Sequence, residues 1–427
     1  MQVYLVGGAV RDALLGLAVS ERDYVITGAS PEVLLGLGYK QVGHSFPVFL
    51  HPDSGEEYAL ARTERKSGSG HGGFICDFGP EVSLETDLAR RDLTINAIAQ
   101  SADGQLIDPY GGLDDLARRQ LRHVSPAFVE DPLRVLRVAR FAARFAPLGF
   151  SVASDTLSLM RTISASGELQ TLSAERLWQE SAKALAGPAP WAYFELLHQV
   201  GALDAILPEL ARLWGVPNPP LWHPEIDTGV HTLMVLRAAC QLSSDPAIRF
   251  AALCHDLGKG TTPPAEWPSH KGHDERSARL VVELAARWRI PNPVRDLAEL
   301  VARHHGRCHR LSEMGSSAVI RFLDDLDGWR RPERLLPFVL ACTADYRGRS
   351  GYETASYPQA QRLLRALEIG RQVSVQAIVA AGYSGPAVGQ QLHQRRIAAL
   401  RRAERAQAVQ PSSKVHGEQP GSRQYSP

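Results

Sequence analysis

Residues 3–26 of the chain read VYLVGGAVRDALLGLAVSERDYVI, and the fold of the N-terminal part follows from this segment. The apolar run at 3–6 predicts a strand, which ends at the glycine pair Gly7-Gly8. Residues 9–15 have the apolar spacing of a short helix. An acidic start and an apolar run then predict a second strand at 21–26. The segment therefore predicts two strands joined by a glycine turn and a short helix.

Two carboxylates, Glu21 and Asp23, lie two residues apart on the second predicted strand. Because side chains alternate along a strand, we expect both to point the same way, with Cα atoms roughly 6.5–7 Å apart. Such a pair can hold one or two Mg²⁺ ions. The turn at Gly8 offers backbone N–H groups to phosphate, and Arg11 follows just inside the helix. Phosphate and metal would then lie side by side, although a solvated acidic strand is the ordinary alternative.

Composition narrows the class of protein. A chain of 427 residues is long enough for two or three domains. Its 47 Lys and Arg residues balance 46 Asp and Glu residues, so any RNA contact must come from local basic faces. The five cysteines lack paired spacing, which argues against zinc ribbons and disulfide frameworks. With no apolar leader and no run near the roughly 20 residues of a membrane span, we expect a cytoplasmic protein.

The next segments extend the predicted sheet. A helix at 31–37 leads to further strands, predicted at 39–42, 48–51 and 57–61. Glu57 opens the last of these strands and could be either a third metal-binding carboxylate or a surface acid. Residues 62–73, RTERKSGSGHGG, are too rich in glycine, serine and charge to pack. They predict a mobile loop near the site, or else an ordinary solvated hairpin tip.

Two motifs in the first 122 residues resemble those of the class II tRNA nucleotidyltransferases and poly(A) polymerases. The first motif is GGAVRD at 7–12 followed by Glu21-x-Asp23, where the family usually has Asp-x-Asp, and the second is RRDLTIN at 90–96. The resemblance implies an α+β, polymerase-β-like head with a small mixed or antiparallel sheet. It also implies that Glu21 and Asp23 are catalytic Mg²⁺ ligands. The residues implied to contact the nucleotide are Gly8, Arg11 and Arg91, with Asn96 as a possible ribose contact.

From about residue 123 the pattern becomes helical, and one helix has a basic face. Four arginines at 134, 137, 140 and 144 fall within an arc of about 120° at helical spacing, which predicts contact with nucleotide or RNA. We assign Arg137 and Arg140 to the nucleotide. The segment EDPLR at 130–134 resembles the base-recognition motif of the same family, in which Asp131 and Arg134 would mimic a Watson–Crick edge. Uracil and guanine would leave buried groups unpaired, at a cost of roughly 1–3 kcal/mol each.

A second chemical site is predicted from the histidines, eight of which lie between residues 223 and 309. Imidazoles and carboxylates that converge from several helices suit a divalent metal that activates water for attack on a phosphoester. The motif CHDLGKG at 254–260 resembles the HD metal-dependent phosphohydrolase domains. Their pattern maps to the ligands His231, His255, Asp256 and Asp345. Further candidates are His273 and His305, with His304 as an alternative to His305.

Together these features resemble the bacterial multifunctional CCA-adding family, over nearly all of the chain up to about residue 405. We expect a head at 1–122, a helical neck and body at 123–220, an HD domain at 221–350, a helical region at 351–408 and a disordered tail at 409–427. The resemblance implies template-independent addition of C, C and A to tRNA from CTP and ATP with Mg²⁺, by a monomer or homodimer. It also implies 2′,3′-cyclic phosphodiesterase, 2′-nucleotidase and nickel-dependent phosphatase activities in the HD domain.

Two alternatives remain open at this stage. A poly(A) polymerase would share the head motifs, but such enzymes typically lack an HD domain and carry a basic tail. A signalling protein could instead have an inactive head and an HD domain that hydrolyses a nucleotide messenger. Incorporation of C and A into tRNA that lacks CCA distinguishes these three functions.

Overall fold

The computed structural model describes residues 1–42, 48–66, 74–221 and 223–409. The chain divides into two compact units, of which the first comprises residues 1–306 and 340–356, and the second residues 307–339 and the chain from Tyr357 onward. Most of the predicted loop at 62–73 and nearly all of the predicted tail lie outside the described residues.

A mixed sheet organises the N-terminal part of the first unit. Its strands are β1 (Gln2–Val6), β2 (Asp23–Thr27), β3 (Lys40–Val42), β4 (Val48–Leu50), β5 (Glu57–Leu60), β8 (Ala99–Ser101) and β9 (Leu106–Ile107). They lie in the order β3-β4-β5-β2-β1-β8-β9, and only the β2–β5 pair is parallel among these described strands. A separate antiparallel ribbon contains β6 (Arg62–Lys66) and β7 (Phe74–Phe78). The helices here are α1 (Gly8–Leu14), α2 (Pro31–Gly36), α3 (Leu84–Ala89) and α4 (Gly112–Ala117).

Both faces of the central strands are buried. Val25 packs with Val6 on one face, whereas its neighbour Ile26 packs with Phe49 and Leu60 on the other. Because successive side chains of a strand point to opposite faces, a sheet that is covered on both sides requires the continuous apolar runs seen in the sequence.

Two details of the predicted head were wrong. Strand β2 begins at Asp23, so Glu21 lies in the irregular segment before it rather than on the strand. The reason is that Val6, the last residue of β1, pairs with Asp23, and the chain turns away at Gly7 with φ 69°. Residues 62–66 form β6 rather than the start of a loop, because they pair in register with β7.

Helices dominate the rest of the first unit, as predicted. The body contains α5 (Leu133–Phe145), α6 (Ser154–Ala165), α7 (Ala174–Ala186), α8 (Pro190–Gln199), α9 (Ala202–Ile206) and α10 (Pro208–Ala211), together with the short parallel pair β10 (Gln120–Leu121) and β11 (Ser151–Val152). The following helices are α11 (Thr228–Leu242), α12 (Pro246–Cys254), α13 (His273–Trp288), α14 (Asn292–His309) and α16 (Leu335–Arg347), the last two of which extend across the unit boundaries.

The α5 helix has two chemically different faces. Leu136, Ala139 and Ala143 are buried in the helical core, where α5 packs against α7 and α8. The arginine face predicted from the sequence lies on the other side of the helix. Apolar residues at a spacing of three and four thus orient the arginines.

The second unit contains α15 (Ser316–Asp325), α17 (Pro358–Arg371), α18 (Gln376–Val379) and α19 (Pro386–Val409). An ion pair of 2.8 Å joins Arg362 of α17 to Glu404 of α19, and Arg396 stacks on Trp329 at 3.8 Å. Within the described residues, every helix is too short or too polar to cross a membrane. An α+β head followed by helical domains confirms the predicted fold class.

Candidate active sites

A cavity of about 610 Å³ in the first unit brings together the predicted residues of the head and of α5. Each of the head and body site residues predicted from the sequence lines it: Gly8, Arg11, Glu21, Asp23, Arg91, Asn96, Asp131, Arg134, Arg137 and Arg140. The first six lie in the N-terminal 122 residues, and the other four lie on or just before α5. The cavity has carboxylates at one place and many cations around them, which is the charge pattern that a nucleotide with its metal requires.

The carboxylates of Glu21 and Asp23 repel each other, because both are negatively charged when ionised. Burial raises the pKa of Asp23, the charge of Glu21 raises it further, and Arg91 opposes both. A divalent cation would relieve this repulsion, so the pair fits a metal. Across the parallel β2–β5 pair, Glu57 is the register partner of Asp23.

The phosphate side of the cavity is formed by the glycine turn and by Arg91. Gly7 adopts φ 69°, and a Cβ added there would lie 3.0 Å from the Arg91 guanidinium, so glycine lets the two approach. Arg91 forms an ion pair with Asp87 at 3.2 Å, while its buried Nε has no hydrogen-bond partner in the described part of the chain. Burial lowers the pKa of Arg91, and an anion would offset that desolvation.

Buried carboxylates hold four further arginines of the cavity in place, and the sequence analysis did not predict this role for them. Asp12 contacts Arg11 and Arg144, each at 2.8 Å. The remaining carboxylates and their partners are Asp92 with Arg137 at 2.8 Å and Glu180 with Arg140 at 2.6 Å. The positions of Asp12 and Asp92 inside the two motifs were a signal that could have identified them, whereas nothing in the local sequence marks Glu180.

Asp92 illustrates how strongly these pairs are stabilised. Burial alone would raise the pKa of Asp92, but the charge of Arg137 and the hydrogen bond from Asn96 Nδ2 outweigh it and hold the pKa well below its ordinary value. Asn96 Oδ1 in turn accepts a hydrogen bond from Arg11. Asn96 therefore joins Arg11 of α1 to Asp92, the ion-pair partner of Arg137 on α5, in addition to lining the cavity.

The two residues predicted to read the base both have protein partners. Asp131 accepts hydrogen bonds from Arg176 of α7, at 3.0 and 3.3 Å, and from the Leu133 backbone N–H at 3.0 Å. Arg134 donates to the backbone carbonyl oxygens of Ala127, at 2.9 Å, and of Arg90. These bonds preorganise both side chains, and Arg176 was not predicted from the sequence.

A second cluster lies among the later helices of the same unit. The described residues contain four overlapping groups of possible metal ligands, whose ligand atoms lie within 4.8 Å of one another in each group: His223, Glu225 and His231; His231, His255 and Asp256; His255, His305 and Asp345; Asp256, His273 and His305. All six predicted ligands are therefore brought together. Among the described residues, His305 and not His304 belongs to these groups.

Close packing of the segment after α12 places Asp256 at the centre of the cluster. The Asp256 carboxylate lies 3.1 Å from His255, 3.3 Å from His273 and 3.5 Å from His305, measured to Nε2 of each ring. A Cβ added at Gly258 would lie 2.3 Å from the His273 carbonyl oxygen. Only glycine allows this segment to approach α13 so closely. Lys259 forms an ion pair with Asp256 at 2.7 Å.

Backbone carbonyls orient three of the imidazoles. The Nδ1 atoms of His255, His273 and His305 lie 2.7, 3.0 and 3.2 Å from the carbonyl oxygens of residues 252, 270 and 301, respectively. Because a carbonyl oxygen can only accept, Nδ1 is the atom that donates in each ring, and Nε2 faces the Asp256 carboxylate at the centre of the cluster. This arrangement is typical of metal-binding histidines.

The cluster fits a divalent metal on a further observation. Asp256 Oδ1 and His255 Nε2 are buried and form no hydrogen bond with any residue that the structure describes. Buried lone pairs that no hydrogen bond satisfies are costly in a protein interior. Coordination of a cation would satisfy both, so these residues suit a metal centre.

Family models match three parts of the chain. They describe a poly A polymerase head domain at residues 3–122, a probable RNA and SrmB-binding site of polymerase A at 149–213 and an HD domain at 228–337. The head match covers the glycine turn and the Glu21–Asp23 pair, and the HD match covers the histidine cluster except for Asp345, whereas the arginine face of α5 lies outside all three matches.

Whole-chain comparisons agree with these matches. A multifunctional CCA protein of Hahella chejuensis (strain KCTC 2396) is 55% identical over 414 residues, which cover 97% of this chain and 98% of the relative. A CCA-adding enzyme in an apo form has a similar structure, with a TM-score of 0.62 at 21% identity over 95% of this chain and 92% of the other. A Thermotoga maritima CCA-adding enzyme complexed with tRNA gives a TM-score of 0.59 at 21% identity, over 95% and 91%. From its near-complete match at 55% identity, we conclude that this chain belongs to the multifunctional CCA protein family.

Proposed function

We propose that the N-terminal cavity completes the 3′-terminal CCA of tRNA from CTP and ATP, without a nucleic-acid template, and that the HD domain hydrolyses phosphoesters. The single observation that carries this proposal is the cavity itself, in which paired carboxylates, phosphate-binding cations and a candidate base reader converge. Proteins of the same fold have been solved in complexes with CTP, ATP and tRNA. We also propose a cytoplasmic location, where these substrates are found.

Nucleotidyl transfer requires the tRNA 3′-hydroxyl and the nucleotide α-phosphate to be held in line. The hydroxyl oxygen loses its proton to solvent and forms a bond to the α-phosphorus, the bond from the α-phosphorus to the bridging oxygen of the β-phosphate breaks, and pyrophosphate leaves with that electron pair. Glu21 and Asp23 would hold Mg²⁺, which when bound activates the hydroxyl and neutralises phosphate charge. Arg11, Arg91 and Arg137 would hold the triphosphate, since arginine matches phosphate oxygens in geometry and charge.

Asp131 and Arg134 would select the base. Arg134 can donate to cytosine O2 and N3, and Asp131 can accept from the exocyclic amine. After a small reorientation of the two side chains, Arg134 can donate to adenine N1 and Asp131 can accept from its N6 amine. The bonds that Arg176 and the backbone make to these side chains support the proposal, because a template made of protein must keep its donors and acceptors in place.

Replacing Asp131 by alanine is expected to lower kcat/KM for both CTP and ATP by roughly 10- to 100-fold, because each loses an acceptor for its amine. Discrimination of CTP against UTP should fall as well, since the acceptor that rejects the uracil carbonyl is gone. Single-nucleotide incorporation into tRNA lacking CCA measures both effects. The matched control is Asp204→Ala, which removes an exposed acid of α9. Unchanged discrimination in the Asp131 variant would show that another group reads the base.

In the HD domain, His231, His255, Asp256 and Asp345 would hold a divalent metal, with His273 and His305 in reach. By family resemblance we propose Ni²⁺ for the phosphatase activity, beside 2′,3′-cyclic phosphodiesterase and 2′-nucleotidase activities. A metal there supplies water of lowered pKa for attack on phosphorus. The carbonyl-oriented imidazoles keep their Nε2 lone pairs directed at the centre, and Lys259 balances the charge of Asp256.

Purified full-length protein tests the proposed function directly. Given tRNA that lacks CCA, together with CTP and ATP, it should add C, C and A and then stop. Unlimited addition of A without C would indicate a poly(A) polymerase instead. No incorporation at all, with phosphodiesterase activity retained, would indicate an inactive head.

A further inference from the structure

His231 differs from the other imidazoles of the HD cluster in what faces its Nδ1 atom. The other three rings face backbone carbonyls, whereas His231 Nδ1 lies 2.8 Å from Oε1 of Glu225. On its other side, His231 Nε2 lies 3.2 Å from Asp345 Oδ1. His231 is fully buried, and the Glu225 side chain is only 3% exposed. A buried carboxylate thus takes the place that a carbonyl has beside the other rings.

The Glu225 carboxylate is itself held in a defined position. Its Oε1 atom accepts a hydrogen bond from His223 Nδ1 at 3.0 Å, and its Oε2 atom accepts one from the Ser350 backbone N–H at 3.3 Å. Ser350 follows α16, which carries Asp345, so Glu225 links the segment before α11 to the end of α16. Glu225 therefore contacts both segments that supply candidate metal ligands on this side of the cluster, namely α11 with His231 and the end of α16 with Asp345.

We propose that Glu225 is a positioning residue of the HD metal centre, which holds His231 with its proton on Nδ1 and its Nε2 lone pair directed towards the metal. This inference rests on the proposed metal-dependent function of the HD domain. Both ring nitrogens of His231 face carboxylate oxygens, which can only accept. When Nε2 coordinates a cation beside Asp345, the proton of the ring is on Nδ1, next to the Glu225 carboxylate.

A carboxylate has an effect that a carbonyl lacks. Its negative charge makes the imidazole a stronger donor to a cation, and carboxylate–histidine–metal arrangements are a recurrent feature of metal sites. Glu225 would therefore contribute to metal affinity as well as to the orientation of the ring. Glu225 is a side chain, so substitution can remove it, and it lies closer to its ring than Asp274 does to Nδ1 of His305, which is 3.7 Å away.

Metal binding by the full-length chain tests the proposal. All variants carry Asp23→Ala, so that the carboxylate pair of the head does not contribute to the titration. Co²⁺ is added to chelator-treated protein, and its dissociation constant is measured by calorimetry and by the d–d absorption of the bound ion. Glu225→Gln keeps the size of the side chain but removes its charge, and we expect Co²⁺ affinity to fall by roughly 10- to 100-fold.

Two further variants make the result specific. Glu225→Asp keeps the charge and should bind Co²⁺ more tightly than Glu225→Gln, which a purely space-filling role would not produce. Glu283→Gln removes an exposed charge of α13 and should leave affinity unchanged. Phosphodiesterase activity of Glu225→Gln should recover as Co²⁺ is raised to saturation, because the ligands themselves remain.

The outcomes separate this inference from the function on which it rests. Wild-type affinity in Glu225→Gln, or equal losses in Glu225→Gln and Glu225→Asp, would overturn the role of Glu225. If the parent chain with Asp23→Ala alone binds no Co²⁺, the proposed metal centre is wrong instead. Should Glu225→Gln fail to fold, as judged by circular dichroism, Glu225→Asp decides, and a loss of affinity beyond about 100-fold in that variant contradicts the inference.

Discussion

Replacing Asp23 by alanine should lower the rate of nucleotide incorporation by roughly 1,000-fold or more, which corresponds to several kcal/mol of transition-state stabilisation. Asp23 is the first residue of β2. It pairs with Val6, the last residue of β1, and this pairing places its carboxylate beside the glycine turn. The substitution leaves Glu21 as the remaining carboxylate of the pair, and Glu21 lies in the irregular segment before the strand. Hydrolysis of a 2′,3′-cyclic nucleotide by the same preparation should be unchanged, because that chemistry takes place in the HD domain.

The control for this variant is Asp53→Ala, which removes an exposed acid from the same head. Both variants are assayed for incorporation of radiolabelled CTP and ATP into tRNA that lacks CCA. Normal incorporation by Asp23→Ala would rule out a mechanism based on the two carboxylates. Glu21→Asp, which restores the residue usual in the family, should retain activity, because Glu21 lies outside the pairing of β2 and its segment can adjust to one methylene.

Replacing Asp256 by alanine should have the opposite effect on the two activities. Hydrolysis of 2′,3′-cyclic nucleotides should fall by roughly 1,000-fold, and incorporation into tRNA should be unchanged. Asp256 is within 3.5 Å of three imidazoles, so its loss removes the central ligand of the cluster. The substitution also leaves Lys259 buried without its ion-pair partner.

Because a buried charge without a partner destabilises a protein, Asp256→Asn serves as a second variant of nearly equal size. It should keep the fold, as measured by thermal unfolding, and still lose hydrolysis. Glu283→Ala is the exposed control. Retention of full hydrolysis by the folded Asp256→Asn protein would show that the phosphohydrolase site lies elsewhere.

Short-range patterns predicted a large part of this molecule. The run from Val3 to Ile26 was enough to predict two strands, a glycine turn and a helix, since each depends on neighbouring residues. The motif around His255 and Asp256 predicted the centre of the histidine–aspartate cluster for the same reason. Resemblance to known families supplied the assignments of Asp131 and Arg134, which spacing alone left open.

Local reasoning failed where pairing between distant segments decides the outcome. The local sequence predicts that Glu21 begins a strand. However, β1 ends at Val6, which pairs with Asp23, so no residue of β1 lies opposite Glu21 and β2 starts two residues later. Residues 62–66 look like part of a polar loop, yet pairing with 74–78 makes them a strand. Hydrogen bonds between segments outweigh local composition in both cases.

The amino-acid sequence by itself determined which chemical groups this protein has, since its motifs carry the carboxylates, arginines and histidines at recognisable spacing. Only the tertiary structure decided what holds those groups in place. Glu180 supports Arg140 across 40 residues, and Asp345 approaches His231 across 114. The physical reason is that the free energy of a buried charge depends on which opposite charge packs against it, and that partner is brought there by the fold.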